Sequence, residues 1–181
     1  MAGASGPDLI TNGLVLTLDA ADTNSYPRTG TTWTDLSGNG NNGTLTNGPT
    51  FSSVNSGVIV FDGVDDYVVL DNVGTNTNLQ FTNTSSYSIE AWVKRNANTT
   101  NSSIILSKQN GGVAGNYSLG LSATGVPYLS REAAPWVVNA TSSIPINEWH
   151  HIAGVFDGST LKIYIDGLLN NSIAASGNIT P

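Results

Sequence analysis

The sequence contains no cysteine and very few charged side chains. Without cysteine the chain can form neither a disulfide framework nor a thiolate metal site, and it offers no thiol nucleophile. Lysine and arginine together number 6 against 13 acidic residues, which gives a formal net charge of −7. Nucleic acids and anionic membranes both attract basic surface patches. The few scattered basic residues therefore argue against either kind of partner.

Histidine and glutamate are also scarce, which limits metal and acid–base chemistry. His150 and His151 are sequence neighbours, so on a strand they point to opposite faces and cannot jointly hold one metal ion. We expect each to be packed or hydrogen-bonded. The glutamates Glu90, Glu132 and Glu148 show no catalytic spacing, and no histidine–carboxylate pair is evident. These absences predict a protein that is not an enzyme.

The chain has no apolar run long enough to cross a bilayer, and residues 1–13 lack the basic and apolar regions of a signal peptide. We therefore predict no membrane insertion. Asn, Thr, Ser and Gly supply the polarity, as is typical of all-β proteins outside cells. The sequence predicts an extracellular or virion protein with no signal peptide in this chain. Residues 1–13 are expected to be a flexible arm before a single domain over 14–181.

Short alternating strands separated by turn residues dominate what is present. The strongest pattern is a hairpin in which Trp149–Phe156 turns at Asp157-Gly158 and returns through residues 161–165. It is apolar on nearly every inward position, which places it in the middle of a sheet. About a dozen such strands without an amphipathic helix predict an all-β fold with a two-sheet antiparallel sandwich.

Several packing expectations follow, those for the tryptophans from their hydrophobicity and those for the strands from the same alternation. Trp33, Trp92 and Trp149 are expected in the core. Leu14–Leu18 is predicted to be the first core strand. Residues 57–61 are predicted to form a buried strand whose hairpin partner is Tyr67–Leu70.

Three segments carry a family resemblance. The hairpin WHHIAGVFDGSTLKIYIDG, the segment FDGVDDYV at 61–68 and the strand SIEAWVK at 88–94 resemble, in that order, the laminin-G-like, concanavalin A-like jelly-roll family. The resemblance implies a jelly-roll sandwich, a fold that hosts lectins, modules attached to glycosidases, adhesins and virion parts. Glycosidases of this fold carry a Glu-X-Asp-X-X-Glu strand, a pattern that this sequence lacks.

Asp62, Asp65 and Asp66 form the densest group of candidate ligands. Three carboxylates in one turn repel one another unless they are solvated or neutralised. Hard oxygen donors of this kind suit Ca²⁺, and the resemblance implies calcium near loop ends of the sandwich. The alternative is an ordinary Asp-Gly turn without an ion.

An aromatic side chain beside amide groups is the second candidate site. Sugars bind where an exposed ring can stack and nearby amides can hydrogen-bond. Trp136 and Tyr128 lie in or beside loops, and Asn110 and Asn139 are the amides proposed to accompany them. Trp136 is equally well interpreted as a loop anchor. The sequence therefore predicts a lectin-like module for a glycan or surface polysaccharide; the alternative is a virion decoration, fibre or filament part with no glycan ligand.

The end of the chain suggests a protein partner. The resemblance implies a further C-terminal strand that lies beside the N-terminal strands, and nothing here matches it. Leu14–Leu18 would then be an open edge, which folded proteins cover or pair. We predict that the missing strand is supplied by another copy, by a different protein neighbour in an assembly, or by chain outside this sequence.

Overall fold

The computed structural model describes residues 10–70, 77–81, 85–110 and 113–175. The chain divides into two compact units, Met1–Leu79 and Gln80–Pro181. Nearly all regular structure is β-strand. Within the described ranges the helical elements are two 3₁₀ turns, Val54–Ser56 and Thr77–Leu79.

The first unit contains two small antiparallel sheets. One has three strands in the order β1-β2-β5, and the other pairs β3 with β4. Their bounds are β1 Thr32–Trp33, β2 Gly43–Thr46, β3 Thr50–Ser52, β4 Val58–Val60 and β5 Tyr67–Leu70.

The predicted hairpin between residues 57–61 and Tyr67–Leu70 is wrong. Strand β5 pairs with β2, in register Thr44 to Val69, while β4 pairs with β3. The expectation that 57–61 is buried is also wrong, since Val60 is 40% and Phe61 44% exposed. The alternation of apolar and polar residues predicts where the strands lie. It does not predict which strands pair, because strands adjacent in sequence pair only part of the time.

Leu14–Leu18 is not a strand, so the predicted open strand edge at this place does not exist. Side chains of the following Gly/Asn loop bind its backbone. Asp35 accepts from the N–H of Thr17, while the amides of Asn39 and Asn41 donate to the carbonyls of Leu14 and Val15. Local side-chain bonds of this kind compete with a sheet ladder.

The second unit is a sandwich of two four-stranded antiparallel sheets, ordered β10-β9-β8-β7 and β13-β12-β11-β6. Their bounds are β6 Tyr87–Lys94, β7 Ser103–Asn110, β8 Val113–Leu121, β9 Pro127–Arg131, β10 Val137–Asn139, β11 Trp149–Phe156, β12 Thr160–Ile165 and β13 Leu168–Ala174.

The two sheets face each other across an apolar core. Leu119 and Leu129 from one sheet and Ile152, Leu161 and Ile163 from the other are fully buried. Gly154 sits in the middle of β11, where a Cβ atom would lie 2.9 Å from Leu129 Cδ1. The missing side chain lets the facing leucine approach closely, since interiors are packed without room to spare.

The central hairpin is confirmed. Strands β11 and β12 occupy the two middle positions of their sheet, as their apolar inward residues predicted. The turn between them is closed by Asp157, whose Oδ1 accepts from the N–H groups of Ser159 and Thr160 at 3.0 and 2.8 Å. Its Oδ2 lies 2.7 Å from Lys162 Nζ. One carboxylate thus fixes both the turn and the first residues of the returning strand.

Candidate functional site

The three aspartates predicted as a cation site do lie together in the first unit. Asp62, Asp65 and Asp66 each offer a carboxylate oxygen, and these oxygens lie within 4.8 Å of one another. The N–H of Val64 donates to Asp62 Oδ1 at 2.8 Å and holds the pKa of that carboxyl below its ordinary value. Asp66 Oδ2 accepts from the N–H of Asp62 at 2.9 Å.

The donor set fits a hard cation in part. Carboxylate oxygens at this spacing match the ligands of Ca²⁺, which takes 6–8 oxygens in flexible geometry. The amide of Asn47 also donates to the backbone carbonyl of Asp65 and to its Oδ2. Several of the oxygens therefore already serve the turn. Bound calcium would neutralise the carboxylates and join the turn to solvent ligands; calcium binding stays a prediction.

Two of the predicted sugar-binding residues are side by side in the second unit. Asn139 on β10 lies directly opposite Tyr128 on β9, so both side chains leave the same face of the sheet. Gly120 is the next position across on β8, where an added Cβ would meet the Tyr128 hydroxyl at 2.6 Å. The hydroxyl end of the tyrosine ring therefore lies over a glycine on the outer face, with the exposed residue Asn139 on the neighbouring strand.

Trp136 and Asn110 are the other two predicted sugar-binding residues. Trp136 precedes β10 and is 61% exposed, with its carbonyl accepting from the N–H of Arg131. A ring this exposed is not a loop anchor buried in the core. The backbone of Asn110 ends β7, and its side chain lies outside the described residues.

A more exposed aromatic surface lies on the other sheet. Trp92 on β6 is 66% exposed, so the expectation that it belongs to the core is wrong. Its ring centroid is 5.4 Å from that of His151, its direct partner on β11. His151 Nε2 lies 3.6 Å from Glu90 Oε2. Two residues further along the strands, Lys94 on β6 lies opposite Trp149 on β11. We call Glu90, Trp92, Lys94, Trp149 and His151 the β6–β11 face.

The sequence contained the signal for this surface. Tyr87 and Ile89 are buried, while Glu90 and Lys94 alternate with them and face solvent. Trp92 stands between the two charged residues with the same period, so strand geometry puts it on the solvent side. The prediction that Trp92 lies in the core relied on its hydrophobicity and did not follow the periodicity of the strand.

The expectation that no histidine pairs with a carboxylate is also wrong. His150 Nδ1 lies 2.9 Å from Asp166 Oδ2, and the histidine lowers the pKa of that aspartate below its ordinary value. The pair lines an open cavity of about 410 Å³ with Ser142 and Leu168. His150 Nε2 is buried and lies 3.9 Å from Glu148 Oε2, and it makes no hydrogen bond within the described part of the chain. His150 is packed and hydrogen-bonded, as predicted, and it anchors the β12–β13 turn.

The chain belongs to the concanavalin A-like lectin/glucanases superfamily. The family model, described by that name, matches residues 62–181. This range includes the whole second unit. The predicted fold class is therefore confirmed: an all-β, antiparallel jelly-roll sandwich.

A solved structure has a similar fold. Domain 4 of AbnA, a GH43 extracellular arabinanase from Geobacillus stearothermophilus solved with arabinotriose, is 19% identical, with a TM-score of 0.55 over 81% of this chain and 75% of that one. This similarity shows the fold.

Two further structures are more distant. A "putative carbohydrate binding protein" from Bacteroides ovatus is 16% identical, with a TM-score of 0.44 over 55% of this chain and 29% of that one. An S-layer domain-containing protein from Clostridium thermocellum is 22% identical, with a TM-score of 0.49 over 80% of this chain and 66% of that one. This chain thus spans less than a third of the length of the first and about two thirds of the second. No curated protein matches the sequence.

Among the described residues, no helix has the length and apolar character needed to span a membrane.

Proposed function

We propose that this protein is a non-catalytic carbohydrate-binding module that holds a glycan on the β6–β11 face. The exposed ring of Trp92 carries the proposal. A large aromatic side chain 66% exposed on a regular strand presents a flat apolar surface to solvent, which matches the C–H face of a sugar ring. Membership of a lectin and glucanase superfamily supports a saccharide as the ligand.

The neighbours of Trp92 complete the required chemistry. Glu90 offers a carboxylate that is 69% exposed and accepts hydrogen bonds from sugar hydroxyls. Lys94 on the other side donates them. His151, which contacts the Trp92 ring, limits its rotation, so less side-chain entropy is lost when a ligand binds. Aromatic stacking with flanking polar groups is a general mode of saccharide recognition.

Tyr128, Asn139, Trp136 and Asn110 remain the second set of candidate residues, of which the structure places Tyr128 and Asn139 side by side. Tyr128 and Asn139 offer a ring and an amide side by side on the other sheet. The tyrosine ring is only partly exposed and rests on Gly120, so it offers less area than Trp92. Trp136 is nearly as exposed as Trp92, and it therefore makes a matched control for the experiment.

Affinity electrophoresis in gels that contain neutral polysaccharides, backed by a glycan array, tests the proposal. Trp92→Ala should weaken binding at least about tenfold, which is ~1.4 kcal/mol. Trp136→Ala should change it by less than about twofold, a few tenths of a kcal/mol. The reverse pattern would move the site to the second set of candidate residues, and an array with no selective binding would contradict the proposed function.

The non-catalytic part of the proposal has a separate test. Its support is the absence of the Glu-X-Asp-X-X-Glu pattern from the sequence. Any polysaccharide that the protein retards should release no reducing sugar on prolonged incubation. Sugar release that disappears on Glu90→Gln would overturn it.

An extracellular or virion setting belongs to the same proposal. The polar, sparsely charged composition supports it, as does a structural relative that is a domain of an extracellular enzyme. Antibody labelling of intact cells and of purified particles should detect the protein at a surface. Labelling found only after lysis in a soluble fraction would contradict this setting.

A further inference from the structure

Strand β6 is the edge strand of its four-stranded sheet. It is eight residues long and pairs with β11 on one side, and no described residue pairs with it on the other. Long, regular edges of this kind present unpaired N–H and C=O groups that template pairing with another strand. Strand β6 has neither a proline nor a bulge to prevent pairing.

The direction of the free groups follows from bonds on β11. The N–H and C=O of His151 both bond to Asp166 on the β12 side. His151 and its partner Trp92 are therefore a non-hydrogen-bonded pair, and the backbone groups of Trp92 point away from β11. By alternation the backbone groups of Ser88, Glu90 and Lys94 point to the same open edge.

We propose that this edge pairs with the same edge of a second copy, antiparallel about a two-fold axis at Trp92. In that register Glu90 lies opposite Lys94 of the second copy, and Lys94 lies opposite its Glu90. Opposite charges directly across a ladder stabilise it, and like charges destabilise it. Each opposed pair of these edge-facing residues exchanges two backbone hydrogen bonds.

The order of the residues favours a second copy over an unrelated strand. A strand that carries an acid and a base placed symmetrically about one residue is complementary to itself, as a two-fold interface requires. Shifting the register so that Glu90 opposes Trp92 places Lys94 opposite Ser88 and loses both ion pairs. Pairing would join the two sheets into one, with both Trp92 rings on the same face. This inference does not depend on a glycan ligand.

Sedimentation equilibrium of the full chain gives the first test. The wild type should approach twice its 18.8 kDa mass at high concentration. Glu90→Lys and Lys94→Glu should each weaken dimerisation about tenfold or more, and the double charge exchange should restore it to within about threefold. Melting temperatures of all variants monitor the fold. A wild type that stays monomeric overturns the proposal, and equal weakening by the single and double exchanges overturns the register.

The absence of cysteine permits a geometric test. Residues on the two-fold axis in a hydrogen-bonded pair have Cα atoms about 5.5 Å apart, within the range of a disulfide. Trp92→Cys should therefore form a disulfide-linked dimer under mild oxidation, and Ser88→Cys should not, since it lies away from the axis. Equal cross-linking of the two variants would contradict this register, as would cross-linking of Ser88→Cys alone.

Discussion

At the scale of single residues, the carboxylates of the Asp62–Asp66 turn form the turn's own hydrogen bonds and are also the predicted calcium ligands. Asp62 and Asp66 accept backbone N–H bonds that shape the turn, and Asn47 fastens it through Asp65. These bonds partly offset the repulsion among three negative charges. They also pre-form a cluster of oxygens within 4.8 Å of one another. If calcium binds as predicted, this geometry would lower the cost of ordering its ligands.

We expect Ca²⁺ to raise the melting temperature of the wild type. A ligand that binds only the native state stabilises it by RT ln(1 + [L]/Kd), about 2.7 kcal/mol at a hundredfold excess over Kd. Asp65→Asn should abolish this rise, because an amide keeps the size of the side chain but removes a charge. Differential scanning calorimetry with calcium and with chelator measures it.

Asp19→Asn is the matched control for that experiment. Asp19 is an exposed carboxylate of the same unit that accepts one local N–H bond, from Ala21, and it lies outside the cluster. Its substitution should leave the calcium-dependent rise intact. A wild-type melting temperature that ignores both calcium and chelator would end the calcium prediction.

The surroundings of a residue could be predicted from the sequence where they consist of residues a few positions away. They could not be predicted where the contacting residues are distant in sequence. The cluster of aspartates lies within five positions, so the sequence revealed it. The partner of His150 is Asp166, 16 positions away, and becomes visible only once β11 and β12 pair. Trp92 is a different case, since its solvent-facing position was implied by alternation and obscured by its hydrophobicity.

At the scale of elements, the central hairpin is the most strongly specified part of the chain. Its turn depends on Asp157, whose pKa is held well below its ordinary value by the Lys162 ammonium first and then by bonds from Ser159. The same contact raises the pKa of Lys162. Both side chains are partly exposed, Lys162 by 30% and Asp157 by 35%, so salt screens their attraction. The backbone bonds to the carboxylate keep their role in the turn.

We expect Asp157→Asn to be less stable than the wild type at pH 6, with the difference shrinking in acid. A folded-state pKa below the ordinary 3.8 means that the ionised carboxylate adds stability above that pH. This contribution is lost as pH falls below about 4 toward the folded-state pKa. Urea melts of the wild type and the variant between pH 2.5 and 6 measure the difference in unfolding free energy. The contributions of the other carboxylates cancel in this difference, because these groups titrate in the same way in both proteins. Lys162→Gln, which removes only the ion pair, should show a smaller difference.

The strands of the sandwich were largely predictable, and the irregular first unit was not. Strands β6, β8, β9, β11, β12 and β13 follow alternation and turn chemistry. Leu14–Leu18 alternates as well, yet Asp35, Asn39 and Asn41 bind its backbone and no neighbouring strand does. Strand propensity is a property of one segment, but a β-strand forms only where a second strand pairs with that segment.

At the scale of the whole molecule, the net charge determines which class of glycan the proposed site would accept. The chain carries a formal net charge of −7 and has only 6 basic residues. Lys94 is the single cation of the β6–β11 face, which also carries the carboxylate of Glu90. Anionic polysaccharides would therefore meet net repulsion and no cationic cluster. Neutral glycans bind by stacking and hydrogen bonds, which do not depend on overall charge.

We therefore expect the protein to bind neutral polysaccharides and not polyuronates, and we expect the binding to be nearly independent of ionic strength. The Debye length shrinks from about 30 Å at 0.01 M salt to about 3 Å at 1 M, so electrostatic binding would change steeply across that range. Isothermal titration calorimetry at the two salt concentrations measures how the dissociation constant depends on ionic strength. Lys94→Gln, which removes the one cation, should not alter the salt profile. Binding of polygalacturonate that weakens sharply with salt would show that charge recognition dominates.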